Sequence, residues 1–434
     1  MAARGEHCVH VSPVDTHRSD DGSVTIKFTA DAIGPKRARV EVRHHYSGND
    51  MHAIEPLGDV ALAALLLPAM GWSTRLEVES PVSPLLIGTN PRLQALYAAW
   101  SDGLGPVEVV APPATTAPPA RGVGLFFSGG VDCFHTLLTH TKPGGDPTPT
   151  HLIFVLGFDM LPALSRSRRA TDAVASVRSV ADAFGLELIV VETDIRVTAL
   201  SSVGWALAHG AALASIAHGL RGVLGTCLIS ASNSYRTIQP WGSHPLLDPL
   251  WSSEGVELVH TGCDVNRWTK LQIVGAHPTA RRHLRVCTND SLDSFNCGRC
   301  EKCISTILAM RATGDLDRVT TLASRLEPRD LRRLGLREVN LVTEMKLELL
   351  TQLTEHFDAN GDRALATTIR RHMIGSATGR ALRRLERRLL SAGRKLLRGV
   401  RVRGHRLPLR EEPPELRPLE VLRPNLYRTP RANR

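Results

Sequence analysis

The sequence predicts an α/β fold with a doubly wound parallel sheet, flanked by an N-terminal α+β domain and a C-terminal helical extension. Apolar runs of strand length recur in the middle of the chain, at Gly122–Phe127, His151–Gly157, Leu188–Glu192 and Val223–Ile229. Amphipathic stretches such as Thr171–Gly185 separate them. Apolar strands that alternate with helical crossovers are typical of a parallel sheet covered by helices on both faces.

Composition and patterning divide the chain into five segments. Short alternating strands such as Ser23–Ala30 and Ala38–Tyr46 accompany two helical stretches, which indicates a small α+β domain at the start. The stretch "PPATTAPPARG" is rich in proline and small residues, as linkers are. We therefore predict an N-terminal domain at 1–111, a linker at 112–121, a central domain at 122–315, a helical extension at 316–398 and a poorly ordered basic tail at 399–434.

Charge is unevenly distributed along the chain. The net charge is +10, yet residues 363–434 contain 20 Lys and Arg against 5 Asp and Glu, so residues 1–362 carry a net charge of −5. An anionic partner is therefore indicated only for the tail, where Arg380–Arg398 forms a basic amphipathic pattern. Packing of that helix on its own domain is the alternative.

The sequence shows no sign of membrane insertion or export. No run approaches the ~18 apolar residues of a spanning helix. The first residues, "MAARGEHCVH", do not resemble a secretory signal. We therefore expect a cytoplasmic protein without a transmembrane segment.

A glycine-containing turn, "SGGVDC" at Ser128–Cys133, follows the first of the central strands and precedes a helical pattern. The carboxyl ends of parallel strands are where open α/β sheets bind ligands. Glycines let the backbone approach an anion, and the N–H groups at a helix N-terminus favour negative charge. The P-loop and dinucleotide-binding glycine motifs are absent at this turn. The turn therefore predicts a phosphate site of another type, with an unliganded β–α turn as the alternative.

Four of the eight cysteines fall in one short window, "CTNDSLDSFNCGRCEKC". They are spaced as C-x9-C-x2-C-x2-C, at Cys287, Cys297, Cys300 and Cys303. Four thiolates around a tight knuckle suit a tetrahedral Zn²⁺ ion with no open position, which is a structural site. An iron–sulfur cluster also takes four thiolates and is the alternative.

These motifs together resemble a known superfamily. "SGGVD" followed by a small residue is similar to the pyrophosphate loop of the N-type ATP pyrophosphatases, whose fold is of the adenine nucleotide alpha hydrolase type. "NCGRCEKCISTI" and "NRWTKLQIV" (Asn266–Val274) resemble segments of one member, 7-cyano-7-deazaguanine synthase, which binds zinc through cysteines. The likeness covers Gly122–Gly314, less than half of the chain, and leaves the two flanking regions without a counterpart.

The resemblance implies an ATP-dependent ligase. ATP–Mg²⁺ would be cleaved between the α- and β-phosphates as a substrate carboxylate or amide oxygen is adenylated, and a nitrogen nucleophile would then form an amide or nitrile. Zn²⁺ would hold a wall of the pocket, and no side chain need act as a covalent nucleophile. The residues implied to bind ATP and pyrophosphate are Ser128, Gly129, Gly130, Val131, Asp132, Cys133 and Lys270.

Some implied roles are more specific. Asp132 would also help to hold Mg²⁺, and the turn Gly157–Met160 would lie beside the adenine and ribose. The family has serine where this chain has Cys133, and a thiol is the weaker hydrogen-bond donor. That substitution leaves open a second hypothesis, in which Cys133 carries sulfur to a tRNA or to a small molecule.

A long loop rich in Ser, Pro and Trp follows the fourth central strand. Such loops often carry substrate-binding residues. The predicted acceptor-pocket residues are Ser232, Tyr235, Ser243, His244, Asp248, His260 and Arg267. For each taken alone, turn formation or a local contact is the alternative. The acceptor itself stays open between a small molecule, a protein amine and tRNA, and a non-catalytic ATP-binding scaffold is the alternative outside enzymology.

Overall fold

The computed structural model describes residues 7–33, 38–115, 118–160, 167–287, 295–322 and 343–373. The strands are β1 (Cys8–Val11), β2 (Asp15–Arg18), β3 (Val24–Ile33), β4 (Ala38–Ser47), β5 (Arg75–Val78), β6 (Glu108–Val110), β7 (Gly122–Phe126), β8 (His151–Leu156), β9 (Glu187–Thr193), β10 (Leu224–Ser230) and β11 (Glu257–Thr261). The predicted amphipathic helix at Arg380–Arg398 and the basic tail at 399–434 lie outside the described residues.

The helices cover the sheet. They are α1 (Asp59–Trp72), α2 (Pro84–Trp100), α3 (Val131–His140), α4 (Arg168–Phe184), α5 (Trp205–Gly219), α6 (Arg267–Ala276), α7 (Pro278–His283), α8 (Glu301–Ala312) and α9 (Thr343–Ala359). Residues 363–373 are also helical. Within the predicted extension at 316–398, the structure thus describes helix at 343–359 and 363–373.

The strands form one large, mostly parallel sheet in the order β11-β10-β7-β8-β9-β4-β3-β1-β5-β6, with β2 paired to β3. The five strands from β11 to β9 are all parallel to their neighbours. In this parallel part the chain runs from β7 outward to β8 and β9, then returns to the other side of β7 for β10 and β11. β7 therefore lies where the direction of strand addition reverses.

Apolar side chains of the central strands alternate between two hydrophobic cores, as the period of two residues along a strand requires. Leu125 and Phe154 belong to a core that also contains residues of α3, α4, α6 and α8. Phe126 and Ile153 face the other way, into a core that contains residues of α1 and α5. The sheet thus has helices on both faces, which explains why the central strands are continuously apolar.

The N-terminal strands extend the same sheet. β4 pairs antiparallel with β9, so that Tyr46 lies opposite Val191. The described residues of the predicted segments 1–111 and 122–315 belong to one compact unit. In the predicted linker at 112–121, Pro112 accepts a backbone hydrogen bond from Val82. Composition alone misses these contacts, because pairing between distant strands leaves no local signal.

The long loop predicted after β10 contains a strand. β11 (Glu257–Thr261) adds to the parallel edge beside β10, with Ser230 opposite Thr261. In the short segment "ELVHT" only Leu258 is fully buried, Glu257 is exposed and the other three residues are half-buried, without an alternating pattern. Its pattern is therefore too weak to predict a strand from the sequence.

A buried histidine joins the N-terminal strands to the central ones. His44 on β4 is fully buried, and its Nδ1 lies 2.7 Å from Thr193 Oγ1 while its Nε2 lies 3.0 Å from Ser215 Oγ. Ser215 Oγ donates to the carbonyl oxygen of Val60, so it accepts from His44. Burial lowers the pKa of His44 to about 3, which keeps the ring neutral.

We expect His44→Leu to destabilise the protein by ~1–3 kcal/mol, because it leaves the hydroxyl groups of Thr193 and Ser215 without their buried partner. Denaturant unfolding measures the change. His17→Leu on the exposed face of β2 is the control and should change stability by less than ~0.5 kcal/mol. An equal effect of the two substitutions would contradict the assigned role of His44.

Candidate functional site

The turn Ser128–Cys133 lies at the carboxyl edge of the sheet, between the end of β7 and the start of α3. β7 is flanked by β10 on one side and β8 on the other, at the reversal of strand order. In open α/β sheets this reversal opens a crevice between the loops that leave adjacent strands in opposite directions. The turn therefore occupies the position where such sheets bind ligands.

The backbone of the turn is hydrogen-bonded by Arg285, in the segment that follows α7. Gly129 has φ of 78°, a left-handed conformation that favours glycine. Its carbonyl oxygen accepts a 2.7 Å hydrogen bond from the Arg285 amide, and Nε of Arg285 lies 3.1 Å from the Ser128 carbonyl oxygen. Gly130 is the N-cap of α3 and supplies no side chain to cap it. The first amides of α3 are thus left for an anion.

Two cations of α6 lie against the carboxylate of Asp132. Nη1 of Arg267 lies 2.8 Å from both carboxylate oxygens, and Nζ of Lys270 lies 3.5 Å from Oδ1. Lys270 is almost fully buried and donates a 2.6 Å hydrogen bond to the carbonyl oxygen of Ala231, just after β10. Arg267 and Lys270 are three residues apart on α6 and therefore share one face of the helix. The Asn266 side chain caps the N-terminus of α6.

The electrostatics of this group favour an anion. Burial raises the pKa of Asp132, but Arg267 and Lys270 outweigh it and lower the pKa below its ordinary value. Asp132 is therefore ionised, and the two cations retain one net positive charge beside the helix N-terminus. This cluster, Asp132 with Arg267 and Lys270, is called the cationic cluster below.

His135 was missed by sequence reasoning. It lies one turn after Asp132 on α3, is buried, and its Nδ1 has no hydrogen-bond partner among the described residues. A Cβ added at Gly262 would lie 3.5 Å from that Nδ1 and 3.6 Å from Nζ of Lys270. Burial and then Lys270 lower the pKa of His135 to about 4, so its ring is neutral. The available signal in the sequence was that His135 follows Asp132 by three residues, which places the two side chains on one face of α3.

Cys133 is enclosed at the first turn of α3. Its side chain is buried, and its Sγ donates to the Gly130 carbonyl oxygen at 3.2 Å. Burial raises the pKa of Cys133, although hydrogen bonding with Ser128 acts the other way. A sulfur carrier needs an accessible thiolate. The structure therefore disfavours Cys133 as one.

A crevice of about 10 Å³, with room for about one water molecule, adjoins the turn. Its lining includes Ser128, Gly129, His283, Arg285 and Phe295. Small-molecule sites usually measure ~300–1,000 Å³. A whole nucleotide therefore needs space beyond this crevice. The turn Gly157–Met160, closed by a 2.6 Å backbone hydrogen bond, ends β8 at the same edge of the sheet. Residues 161–166 and 288–294 lie outside the described part.

Part of the predicted acceptor pocket forms a second cluster. Asp248 is fully buried, and its Oδ2 lies 2.7 Å from Nδ1 of His260 and accepts a 2.7 Å hydrogen bond from Ser243 Oγ. Its Oδ1 accepts a hydrogen bond from the His244 amide at 3.2 Å. Burial lowers the pKa of His260, but Asp248 and then Cys263 outweigh it and raise the pKa to about 9.

Sequence reasoning singled out neither Cys263 nor the contact of His209 with this cluster. Nε2 of His209 accepts a 3.1 Å hydrogen bond from the Ser243 amide. Cys263 is a buried free thiol that, after Asp248, contributes to the raised pKa of His260. The predicted residues Ser232 and Tyr235 are exposed, and Tyr235 contributes its amide to the Cys263 carbonyl oxygen at 2.8 Å.

The four predicted metal ligands converge. The sulfurs of Cys287, Cys297, Cys300 and Cys303 all lie within 4.8 Å of one another. Cys297 to Cys303 and Cys287 to Cys300 both measure 3.8 Å between sulfurs. A tetrahedron with ~2.3 Å zinc–sulfur bonds has edges of about 3.8 Å. The four thiols can therefore hold one metal ion.

Local structure explains this convergence. Gly298 has φ of 66°, which turns the chain back so that the amides of Arg299 and Cys300 donate to Cys297 Sγ at 3.4 and 3.1 Å. Cys300 is the N-cap of α8, and Cys303 lies in its first turn. Hydrogen bonding to Cys287 raises the pKa of Cys300 to about 12, and a bound cation would reverse that shift.

Comparison with protein-family models, with curated proteins and with solved structures finds no match to this chain. Among the described helices, none is both long and apolar enough to span a bilayer. The functional interpretation therefore depends on the geometry of the cationic cluster, the turn and the cysteines.

We expect Cys300→Ser to lower the metal content from about one ion per chain and to reduce the melting temperature, because a four-ligand site loses one thiolate. Elemental analysis and thermal unfolding measure the two effects. Cys8→Ser on β1, a half-buried thiol outside the cluster, is the control and should change neither. Metal-free wild-type protein with an unchanged melting temperature would rule out a structural metal.

The Asp248–His260 pair predicts a pH-dependent contribution to stability. Because the pKa of His260 is about 9 in the folded protein and 6.5 for an unperturbed histidine, the stabilisation is fully present below pH 6.5 and is lost as pH rises through 9. The expected size is about 3 kcal/mol. Unfolding of wild type and His260→Gln between pH 6 and 10 measures it, with exposed His17→Gln as the control. A constant difference across this range would contradict the raised pKa.

Proposed function

We propose that the chain is an ATP-dependent enzyme of the N-type ATP pyrophosphatase type, similar to 7-cyano-7-deazaguanine synthase, with a doubly wound fold like that of the adenine nucleotide alpha hydrolases. The observation that carries the proposal is the position of Ser128–Cys133 at the reversal of strand order, beside the cationic cluster. A glycine turn, an uncapped helix N-terminus and two cations together suit the phosphates of ATP.

The proposed reaction begins with the phosphates of ATP on the amides of the turn, with Lys270 and Arg267 beside them. A carboxylate or amide oxygen of the substrate attacks the α-phosphorus, and pyrophosphate leaves. With a carboxylate substrate, a nitrogen nucleophile then attacks the acyl carbon, AMP leaves and an amide forms. With an amide substrate, the adenylated oxygen leaves as AMP while the nitrogen loses its protons, and a nitrile forms. Lys270 is buried and donates a hydrogen bond to the carbonyl oxygen of Ala231, so its Nζ is held in position before ATP binds. Positioning and charge neutralisation supply most of the acceleration in such reactions.

Two metal ions belong to this proposal. Mg²⁺ would neutralise the leaving pyrophosphate. Asp132 is an ionised carboxylate at the turn and fits that ion, although it must then give up part of its contact with Arg267. Zn²⁺ fits the cysteine set better than an iron–sulfur cluster, because all four sulfurs lie within 4.8 Å of one another and two pairs measure 3.8 Å, the edge length around one tetrahedral ion. The zinc site would hold the loop between Cys287 and α8.

The acceptor is proposed to meet the second cluster at the same edge of the sheet. Ser243, His260 and Asp248 are connected there by hydrogen bonds. A small-molecule carboxylate or amide is the proposed substrate, with a protein amine or tRNA as other acceptors. The cytoplasmic location and the anionic partner of the tail stay predictions from the sequence.

Incubation of the protein with ATP–Mg²⁺ and a panel of carboxylates should release AMP and pyrophosphate, measured by chromatography and mass spectrometry. We expect Lys270→Ala to lower the rate by about 100-fold or more, the usual effect of removing a charged transition-state donor. Lys142→Ala, an exposed lysine just beyond α3, is the control and should keep the rate. ADP and phosphate as products would exclude the proposed chemistry, and no nucleotide turnover with retained ATP binding would favour a scaffold.

Cys133→Ser separates amide formation from sulfur transfer. Serine restores the family's residue, so AMP formation should persist or increase if nitrogen is the nucleophile. Loss of product with retained AMP formation would instead make Cys133 the sulfur carrier. The buried thiol with a raised pKa supports the first outcome.

A further inference from the structure

We propose that Asn296 is a positioning residue for the turn Ser128–Cys133, and that through it metal binding at the four cysteines strengthens anion binding at the turn. Asn296 directly precedes the metal ligand Cys297. The identity of the anion, the phosphates of ATP, rests on the function proposed above. The connection between the cysteines and the turn rests on hydrogen bonds in the structure.

The side chain of Asn296 is buried and holds the backbone that follows α7. Its Oδ1 accepts hydrogen bonds from the amides of Val286 at 2.8 Å and Cys287 at 3.2 Å. Its Nδ2 donates to the carbonyl oxygens of Leu284 and Thr321, both at 2.9 Å. An asparagine side chain has two donor hydrogens and two acceptor positions on its oxygen. All four therefore bind backbone groups.

Arg285 lies in the middle of this backbone segment and binds the turn. Leu284 is extended, and successive residues of an extended chain point in opposite directions. Backbone groups of Leu284 and Val286 bond to Asn296. The amide of Arg285, between them, donates to the Gly129 carbonyl oxygen at 2.7 Å. A Cβ added at Gly129 would lie 3.5 Å from Cβ of Arg285, so the segment packs directly on the turn.

The metal ligands lie at both ends of this connection. Cys287 ends the segment that carries Arg285, and Cys297 follows Asn296. Nη2 of Arg169, on α4, also donates to the carbonyl oxygen of Cys287 at 3.1 Å. With a metal ion bound, the distances among the four thiolates are fixed. The segment is then fixed relative to Asn296, and the turn is fixed relative to the segment.

The first experiment measures the binding of inorganic pyrophosphate to wild type and Asn296→Ala, each with and without zinc, by titration calorimetry after unbound zinc is removed. We expect zinc to raise the affinity of the wild type by about ten-fold, within the usual range of coupling between two sites. In Asn296→Ala zinc should change the affinity by less than about two-fold. A merely structural asparagine would lower the affinity equally in both metal states. An equal effect of zinc in the two proteins therefore overturns the proposal.

Asn90→Ala is the matched control. Asn90 is also a buried asparagine, and its side chain accepts a hydrogen bond from Gln94 within α2. This variant should keep the effect of zinc on pyrophosphate affinity. Loss of that effect in Asn90→Ala as well would make it a general result of destabilisation and would overturn the role of Asn296.

Hydrogen exchange of the Arg285 amide tests the connection without an anion. In zinc-loaded Asn296→Ala, with the metal content confirmed by elemental analysis, this amide should exchange about ten-fold faster than in wild type, because its bond to Gly129 opens more often. Amides of β4 that pair with β3 should not change. An unchanged rate at Arg285 overturns the proposal. This comparison decides where metal-free protein does not fold, and zinc-loaded against zinc-free wild type decides where the variant does not fold.

The positioning role and the proposed function fail in different ways. Faster exchange at Arg285 in Asn296→Ala, without binding of pyrophosphate or ATP to zinc-loaded wild type, would reject the proposed function and keep the positioning role. Pyrophosphate binding of equal affinity with and without zinc, together with AMP formation from ATP, would reject the positioning role and keep the function.

Discussion

The parallel register of β7, β10 and β11 is the constraint on which the candidate site depends. Because these strands run in one direction and are hydrogen-bonded neighbours, the residues after each carboxyl end meet at one edge. The turn at Ser128–Cys133, Ala231 and the segment at Gly262 thereby come together, although about 100 residues of chain separate the turn from Ala231 and about 130 separate it from Gly262.

Local sequence predicted the parts of the site that a few consecutive residues build. The turn and the cysteine knuckle each depend on short-range spacing and on glycines that adopt left-handed φ, Gly129 and Gly298. The fourth ligand, Cys287, is predictable because it stands close before the knuckle. Four of the five parallel strands were predicted for a related reason, since burial on both faces makes them continuously apolar.

Parts set by tertiary pairing were not predictable in this way. The N-terminal strands extend the central sheet only because β4 meets β9, and β11 is a strand only because β10 offers its edge. His135 and Cys263 are a histidine and a cysteine like several others in the sequence. Neither residue stands out in the sequence until the fold brings it near a charged group, Lys270 in one case and His260 in the other.

Helix α5, on the opposite face of the sheet from α3 and α6, holds the loop that carries the proposed acceptor residue Ser243. Gly210 on α5 lets the loop backbone approach so closely that a Cβ there would lie 1.8 Å from the Gly242 carbonyl oxygen. The next residue, Ser243, is held by His209 of the same helix and reaches Asp248. The N-terminal region packs α1 on α5, so it stabilises the helix that positions this loop.

Two buried histidines on either side of Gly262 are held in opposite protonation states. His135 faces Lys270 and stays neutral, with a pKa of about 4, whereas His260 faces Asp248 and stays charged up to about pH 9. Environments that drive like groups apart in pKa are characteristic of acid–base chemistry. At neutral pH the first ring is therefore neutral, whereas the second is charged and can stabilise an anion.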